Sequence, residues 1–159
     1  SDVCSSDLGD CMSLSTYGSS NNQSDGVVLT PPWFIDNIIE KYGEIYDPCP
    51  HPRPEGFDSL LIDWPLDKHI YVNPPYKRGQ IGAFVKKCHE QFLRGANITL
   101  LIPSYTDTAY FHDYIYSIEN VEIEFLRGRM KFIDSKTGEV FQRALPCPLM
   151  VVTYKGGII

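Results

Sequence analysis

Downstream of a polar start, the chain switches between two hydrophobic rhythms. Phe34, Ile35, Ile38, Ile39 and Tyr42 recur at three- and four-residue intervals, which predicts a helix running to about Tyr42. Thr30 is its expected N-cap, the following prolines suit a first turn, and Gly43 is the expected stop. Glu44-Ile45-Tyr46 reads as a short strand that delivers Asp47 into a proline-rich loop reaching Pro54. The stretch from Phe57 to Pro65 has no clear period. Ile70-Tyr71-Val72 is a strand ending at Asn73. From Gln80 to Arg94 the residues Ile81, Phe84, Val85, Cys88 and Phe92 make one helical face, with Lys86, Lys87 and Glu90 mostly opposite, and Gly95 ends the run.

The second half is richer in strands. Ile98 to Ile102 is an unbroken apolar run, as expected of a strand covered on both faces of a sheet. Pro103-Ser104-Tyr105-Thr106-Asp107 forms a loop at its carboxyl end, and Thr108 to Tyr116 reads as a short helix. At Val121 the period becomes two: Val121, Ile123 and Phe125 alternate with Glu122 and Glu124. Met130 to Ile133 is expected to be extended, residues 134–138 carry turn chemistry, and Leu149 to Tyr154 is a last apolar strand. This order predicts an α/β fold: a mostly parallel sheet finished by an antiparallel C-terminal hairpin. Residues 1–26, rich in Ser, Asp, Asn and Gly, read as a disordered tail, and residues 27–159 as one domain.

Composition narrows the function classes. No apolar run is long enough to span a bilayer, so a soluble, cytoplasmic protein with no membrane partner is expected. A net charge of −6 leaves any nucleic-acid contact to a local basic patch, for which Lys77, Arg78, Arg127, Arg129 and Lys131 are available. Five cysteines, an odd number at irregular spacing, predict reduced thiols, and none pairs with histidine at a zinc spacing, so no metal is expected.

The chemistry concentrates at Asn73-Pro74-Pro75-Tyr76. Two prolines fix φ near −65° and donate no N–H, so the Asn73 side-chain carbonyl and the Pro74 backbone carbonyl can face a ligand instead of a ladder. Two such acceptors match the two hydrogens of an exocyclic amine, and the Tyr76 ring offers a stacking surface for the heterocycle that carries it. The plain alternative is a strand running into a polyproline kink. At the neighbouring strand ends, Asp47 and the group Ser104, Thr106 and Asp107 have the placement of ligand contacts in open α/β sheets, although the latter group also suits helix capping.

Read in order, Thr30-Pro31, Asp47-Pro48, Asn73-Pro74-Pro75-Tyr76, Pro103 through Asp107 with Phe111-His112, and Gly128-Arg129 to Phe132 resemble the blocks of a phage-type DNA N6-adenine methyltransferase of the small Dam family. The resemblance covers about residues 28 to 154. It implies a compact, Rossmann-like fold dependent on S-adenosylmethionine, encoded by phage or prophage and acting on DNA. It further implies a target-amine site at Asn73, Pro74, Pro75 and Tyr76. Cofactor contacts are implied at Thr30, Pro31, Phe34 and Asp47, with Asp58 a second acidic candidate against the reading of a solvated loop residue. Substrate contacts are implied at Lys77, Arg78, Ser104, Thr106, Asp107 and Arg129. Asn73 stands where many relatives carry Asp, and its amide oxygen accepts equally well.

Two departures matter. Asp47-Pro48-Cys49-Pro50 has no glycine to permit close backbone approach, and the short interval from Asp47 to Asn73 has no room for two further βα units. Three rivals follow. A cytosine-C5 methyltransferase would need a Pro-Cys nucleophile, and Cys147 of Pro146-Cys147 comes in the wrong order relative to the acidic block. A glutamine-amide protein methyltransferase shares Asn-Pro-Pro-Tyr but normally keeps the glycine turn. A catalytically degenerate phage DNA-binding accessory protein would fit the missing turn.

Overall fold

The computed structural model describes residues 28–157, and the expected tail over 1–26 lies outside them. A five-stranded sheet carries the fold. In chain order its strands are β2 (Ile45–Tyr46), β3 (His69–Val72), β4 (Asn97–Pro103), β5 (Val121–Phe125) and β7 (Leu149–Lys155). A separate two-stranded ribbon pairs β1 (Val28–Leu29) with β6 (Ile133–Asp134). Among the described residues three α-helices complete the fold: α1 (Pro32–Tyr42), α2 (Gln80–Leu93) and α3 (Ala109–Tyr114).

Across the sheet the order is β2-β3-β4-β7-β5. β2, β3 and β4 are parallel, while β7 runs antiparallel to both β4 and β5. The architecture is α/β with a mixed sheet. The expected antiparallel pair at the C-terminal end forms between β5 and β7, but not as a hairpin, because the connection 126–148 separates them in the chain, and the two antiparallel pairings of β7 leave the sheet mixed instead of mostly parallel. That connection folds back on itself through Gly138 N–H to Asp134 O and Leu145 N–H to Met130 O, and it contributes the buried side chains of Met130, Phe132, Leu145 and Cys147. Of the expected extended stretch Met130 to Ile133, only Ile133 enters a strand.

Burial follows the pattern that placed the strands. Every residue of β4 from Ile98 to Pro103 is buried, and β7 is buried from Leu149 to Val152, as central strands require. β5 lies at the edge, alternating half-buried Val121 and Ile123 with exposed glutamates, while Phe125 is left exposed. α2 ends one residue before the expected Arg94 and places Ile81, Phe84, Val85 and Cys88 in the core.

The aperiodic stretch becomes a 3₁₀ turn (Ser59–Leu61) tied to α2. Trp64 is 1% exposed, its indole N–H donates to Ser59 O at 3.0 Å, and its backbone N–H donates to Gln91 Oε1 at 2.9 Å. The parallel strands β2 and β3 are thus joined by a segment that holds no α-helix and is pinned to α2 by this link. β3 is anchored at its start by His69, whose ring stacks on Tyr42 at 3.7 Å and whose Nε2 lies 2.7 Å from Thr99 Oγ1. Burial, with a smaller contribution from the Lys41 charge, lowers the His69 pKa to about 4, so the ring is neutral at pH 7.

A candidate active site at the carboxyl ends of β2 and β3

A cavity of about 560 Å³ opens where β2 and β3 end. Asp47 and Pro48 reach it from β2, and Asn73, Pro74 and Pro75 from β3. The other walls come from β1 and the residues after it, including Thr30, and from α1, the proline loop and the start of α2. Parallel strands place ligands at this end because the chain must leave the sheet there, freeing side chains and backbone from the ladder. The volume lies within the range of roughly 300–1,000 Å³ usual for small-molecule sites.

Asn73 is the most informative group. Its Nδ2 donates to Val28 O at 3.1 Å and to Thr30 Oγ1 at 3.0 Å. Its Oδ1 is buried without a hydrogen-bond partner. An orphaned buried acceptor costs about 1–3 kcal/mol, and here it belongs to a residue that lines the cavity, where a ligand could bring the missing donor. Thr30 Oγ1 also lies 2.7 Å from the Tyr71 hydroxyl. This explains why Thr30 fails as the expected cap of α1: its hydroxyl is taken by Asn73 and Tyr71, the cap position falls to Pro31, and no side-chain cap bond forms.

Two carboxylates line the same cavity. Asp47 Oδ1 accepts from Cys49 N–H at 2.8 Å, curling the glycine-free loop back on itself. Asp47 keeps solvent-facing surface, yet the protein crowded around its carboxyl strips part of its hydration and raises its pKa, while the Cys49 N–H pulls it partly back. Asp58 Oδ1 accepts from Leu60 N–H at 3.0 Å and caps the 3₁₀ turn. Burial also pushes the Cys49 thiol up, which keeps it protonated and unreactive. No group of three metal-ligating side chains occurs among the described residues.

Several sequence-predicted residues stand elsewhere. Tyr76 does not line the cavity: its ring is 4% exposed, packs edge-to-face on Phe132 at 6.1 Å, and its hydroxyl donates to Leu101 O at 3.0 Å. Burial pushes its phenol pKa well up, so the hydroxyl stays a donor. Phe34 and Pro31 are buried outside the lining, and Ile35, one position on, faces the cavity in place of Phe34. Helical phase is the reason, since Phe34 and Ile38 share the core-facing stripe of α1.

Lys77 lines the cavity, whereas Arg78 is exposed beyond it. Arg129 Nη1 is spent on the carbonyls of Leu145 and Pro146, where it ties the two ends of the connection 126–148. Ser104, Thr106 and Asp107 fall outside the lining. That loop is closed by Ser104 N–H to Pro148 O, Thr108 Oγ1 to Tyr105 O, and His112 Nε2 at 2.8 Å from Thr106 O.

Tyr71 and the Val28 carbonyl belong to the site but were missed in the sequence. Tyr71 reads as core because β3 is apolar throughout its centre, yet side chains two apart on a strand share a face, and Tyr71 and Asn73 are two apart.

Comparison with known proteins places this geometry in a lineage. A DNA N-6-adenine-methyltransferase of Escherichia phage T1 is 35% identical over 89 residues, an alignment covering 48% of this chain and 37% of that relative. The match thus spans well under two thirds of the phage protein's length. No solved structure matches the chain. The family model for DNA N-6-adenine-methyltransferase (Dam) matches residues 29–156, from Leu29 in β1 through the end of β7 and including every cavity-lining residue but Val28, so the chain belongs to the Dam family of DNA N-6-adenine-methyltransferases.

Proposed function

We propose that this protein transfers a methyl group from S-adenosylmethionine to the N6 amine of adenine in DNA, on a compact Rossmann-like scaffold. The observation that carries the reading is the unpartnered, buried Oδ1 of Asn73, a residue that lines the cavity, within a chain of a DNA N-6-adenine-methyltransferase family. Adenine N6 is a poor nucleophile because its lone pair is delocalised into the ring. An amine hydrogen donated to Asn73 Oδ1, and the second to the Pro74 carbonyl, favour a pyramidal nitrogen and stabilise the positive charge that develops on it. When bound, S-adenosylmethionine supplies an electrophilic methyl carried on positively charged sulfur. The methylated nitrogen then sheds one proton to water, since an amide oxygen is too weak a base to keep it.

The residues present fit such a cofactor. Asp47 and Asp58 each commit one oxygen to a backbone N–H and retain a second as an acceptor for hydroxyl or amino groups. Ile35, Phe57 and Phe84 supply apolar wall, and the Asp47–Cys49 bond fixes the turn of the glycine-free loop at the cavity. Lys77 and Arg78, next to the motif, are positioned in sequence to meet phosphates of a DNA strand whose adenine is rotated out of the duplex. Stacking of that adenine on Tyr76 belongs to this reading and requires the connection 126–148, whose Phe132 covers the ring, to move aside.

The test is transfer of labelled methyl from S-adenosylmethionine to unmethylated DNA, with N6-methyladenine identified after digestion. Label in DNA that disappears in Asn73→Ala supports the proposal. Binding of S-adenosylmethionine with label only in glutamine-containing peptides would replace it with protein-amide methylation, and no binding of S-adenosylmethionine would leave a DNA-binding accessory protein.

A further inference from the structure

A buried primary amide has two ends of nearly equal size, and which end faces a ligand decides whether the site accepts or donates. Here the surroundings make the choice. The Val28 backbone carbonyl can only accept, so the atom of Asn73 lying 3.1 Å from it must be the nitrogen. The second Nδ2 hydrogen goes to Thr30 Oγ1 at 3.0 Å, and the Thr30 hydroxyl is itself held 2.7 Å from Tyr71 OH. With both donor hydrogens engaged, only Oδ1 is left over, and it has no partner in the protein. Val28 cannot drift from this position freely, because β1 is paired to β6 through Val28↔Asp134 and Leu29↔Ile133.

We propose that Val28 O, Thr30 and Tyr71 form a positioning set that selects an amide rather than a carboxylate at position 73 and aims its oxygen at the substrate amine. The substrate half of this statement rests on the methyl-transfer reading above; the selection of an amide does not. The substitution Asn73→Asp would set a carboxylate oxygen about 3 Å from the Val28 carbonyl oxygen with no hydrogen between them. Thr30 can adapt, since a hydroxyl rotates to donate. A backbone carbonyl has no such freedom. On this proposal Asp at position 73 does not substitute for Asn, for a reason that lies 43 to 45 residues upstream.

The test begins without ligand, on ¹⁵N-labelled protein. The Asn73 side-chain amide, assigned by its loss in Asn73→Ala, is expected to give two resolved, slowly exchanging hydrogens. Thr30→Val should release one of them to fast exchange, and Thr30→Ser should recover it. In methyl transfer, Thr30→Val should lower kcat by about 10-fold while KM for DNA stays within about twofold, and Thr30→Ser should recover most of the loss. Tyr71→Phe should have a smaller effect of the same kind, and Asn73→Asp should lose about 100-fold. Amide signals unmoved by Thr30→Val, or an Asn73→Asp enzyme as active as the parent, would overturn the proposal. A parent protein with no methyl transfer would remove the activity reading, while the amide spectra would still decide the positioning set.

Discussion

Two neighbouring parallel strands, β3 and β4, both end in proline and polar residues, and only one of them makes a site. After β3, Asn73 lines the cavity, sends its donor hydrogens to groups from a distant part of the chain and leaves its buried acceptor unmet. After β4, the Ser104 backbone N–H donates to Pro148 O, the Thr108 hydroxyl donates to Tyr105 O, and the Thr106 carbonyl lies 2.8 Å from His112 Nε2, all outside the cavity. Polar residues at a strand end are therefore not enough. What separates the two is placement: the bonds after β4 fold that loop outside the cavity, whereas Asn73 lines it with its donor hydrogens already engaged.

The contrast can be broken most sharply at its strongest point. Asn73→Ala is expected to reduce methyl transfer by at least about 100-fold, while Thr106→Ala and Asp107→Ala each stay within about threefold in the same assay. Equal losses at both loops would erase the distinction. Acid offers a second probe, at the opposite end of β3. The folded-state pKa of His69 is about 4, below its unfolded value near 6.5, so unfolded chains bind a proton that the folded protein refuses. The contribution of His69 is complete above pH 6.5 and falls away as the pH drops toward 4. Urea midpoints at pH 7 and pH 5 should differ by the equivalent of about 2 kcal/mol from this group, and the combined change His69→Phe with Thr99→Val should flatten that slope.

A smaller effect is expected at β2. Asp47→Ala should weaken S-adenosylmethionine binding by about 10-fold in a calorimetric titration, with the melting temperature little changed. Smallest of all is Tyr76→Phe. It removes the bond to Leu101 O and should cost about 1 kcal/mol of stability by denaturant titration, with methyl transfer kept within a few-fold. A large loss of activity without loss of stability in Tyr76→Phe would mean that the hydroxyl acts on substrate.

Much of the scaffold was legible in the sequence because it rests on period and punctuation. The 3.6-residue stripe of Gln80 to Arg94, the unbroken run Ile98 to Ile102 and the alternation from Val121 each matched the element observed. The hairpin expectation failed because pattern identifies a strand without naming its partner, and β7 pairs with β4 as well as with β5. The site was legible at Asn73 and Asp47, whose polar side chains sit where apolar runs stop. It was not legible at Phe34, where a one-residue shift of helical phase decides which side chain meets the cavity, nor at Tyr76, whose ring is claimed by Phe132 across a long sequence separation. Thr30 was found as a cofactor or capping residue, and its actual bonds, to Asn73 and Tyr71, depend on tertiary approach.

The place of β7 bears on how the protein is made. It is the last strand of the described chain and yet it fills the gap between β4 and β5. During synthesis, β4 and β5 must therefore emerge with unpaired backbone edges and wait for a segment still inside the ribosome. Nascent chains arrested just before Leu149 should be held by chaperones or digested by protease, and those released past Lys155 should snap shut in one cooperative step.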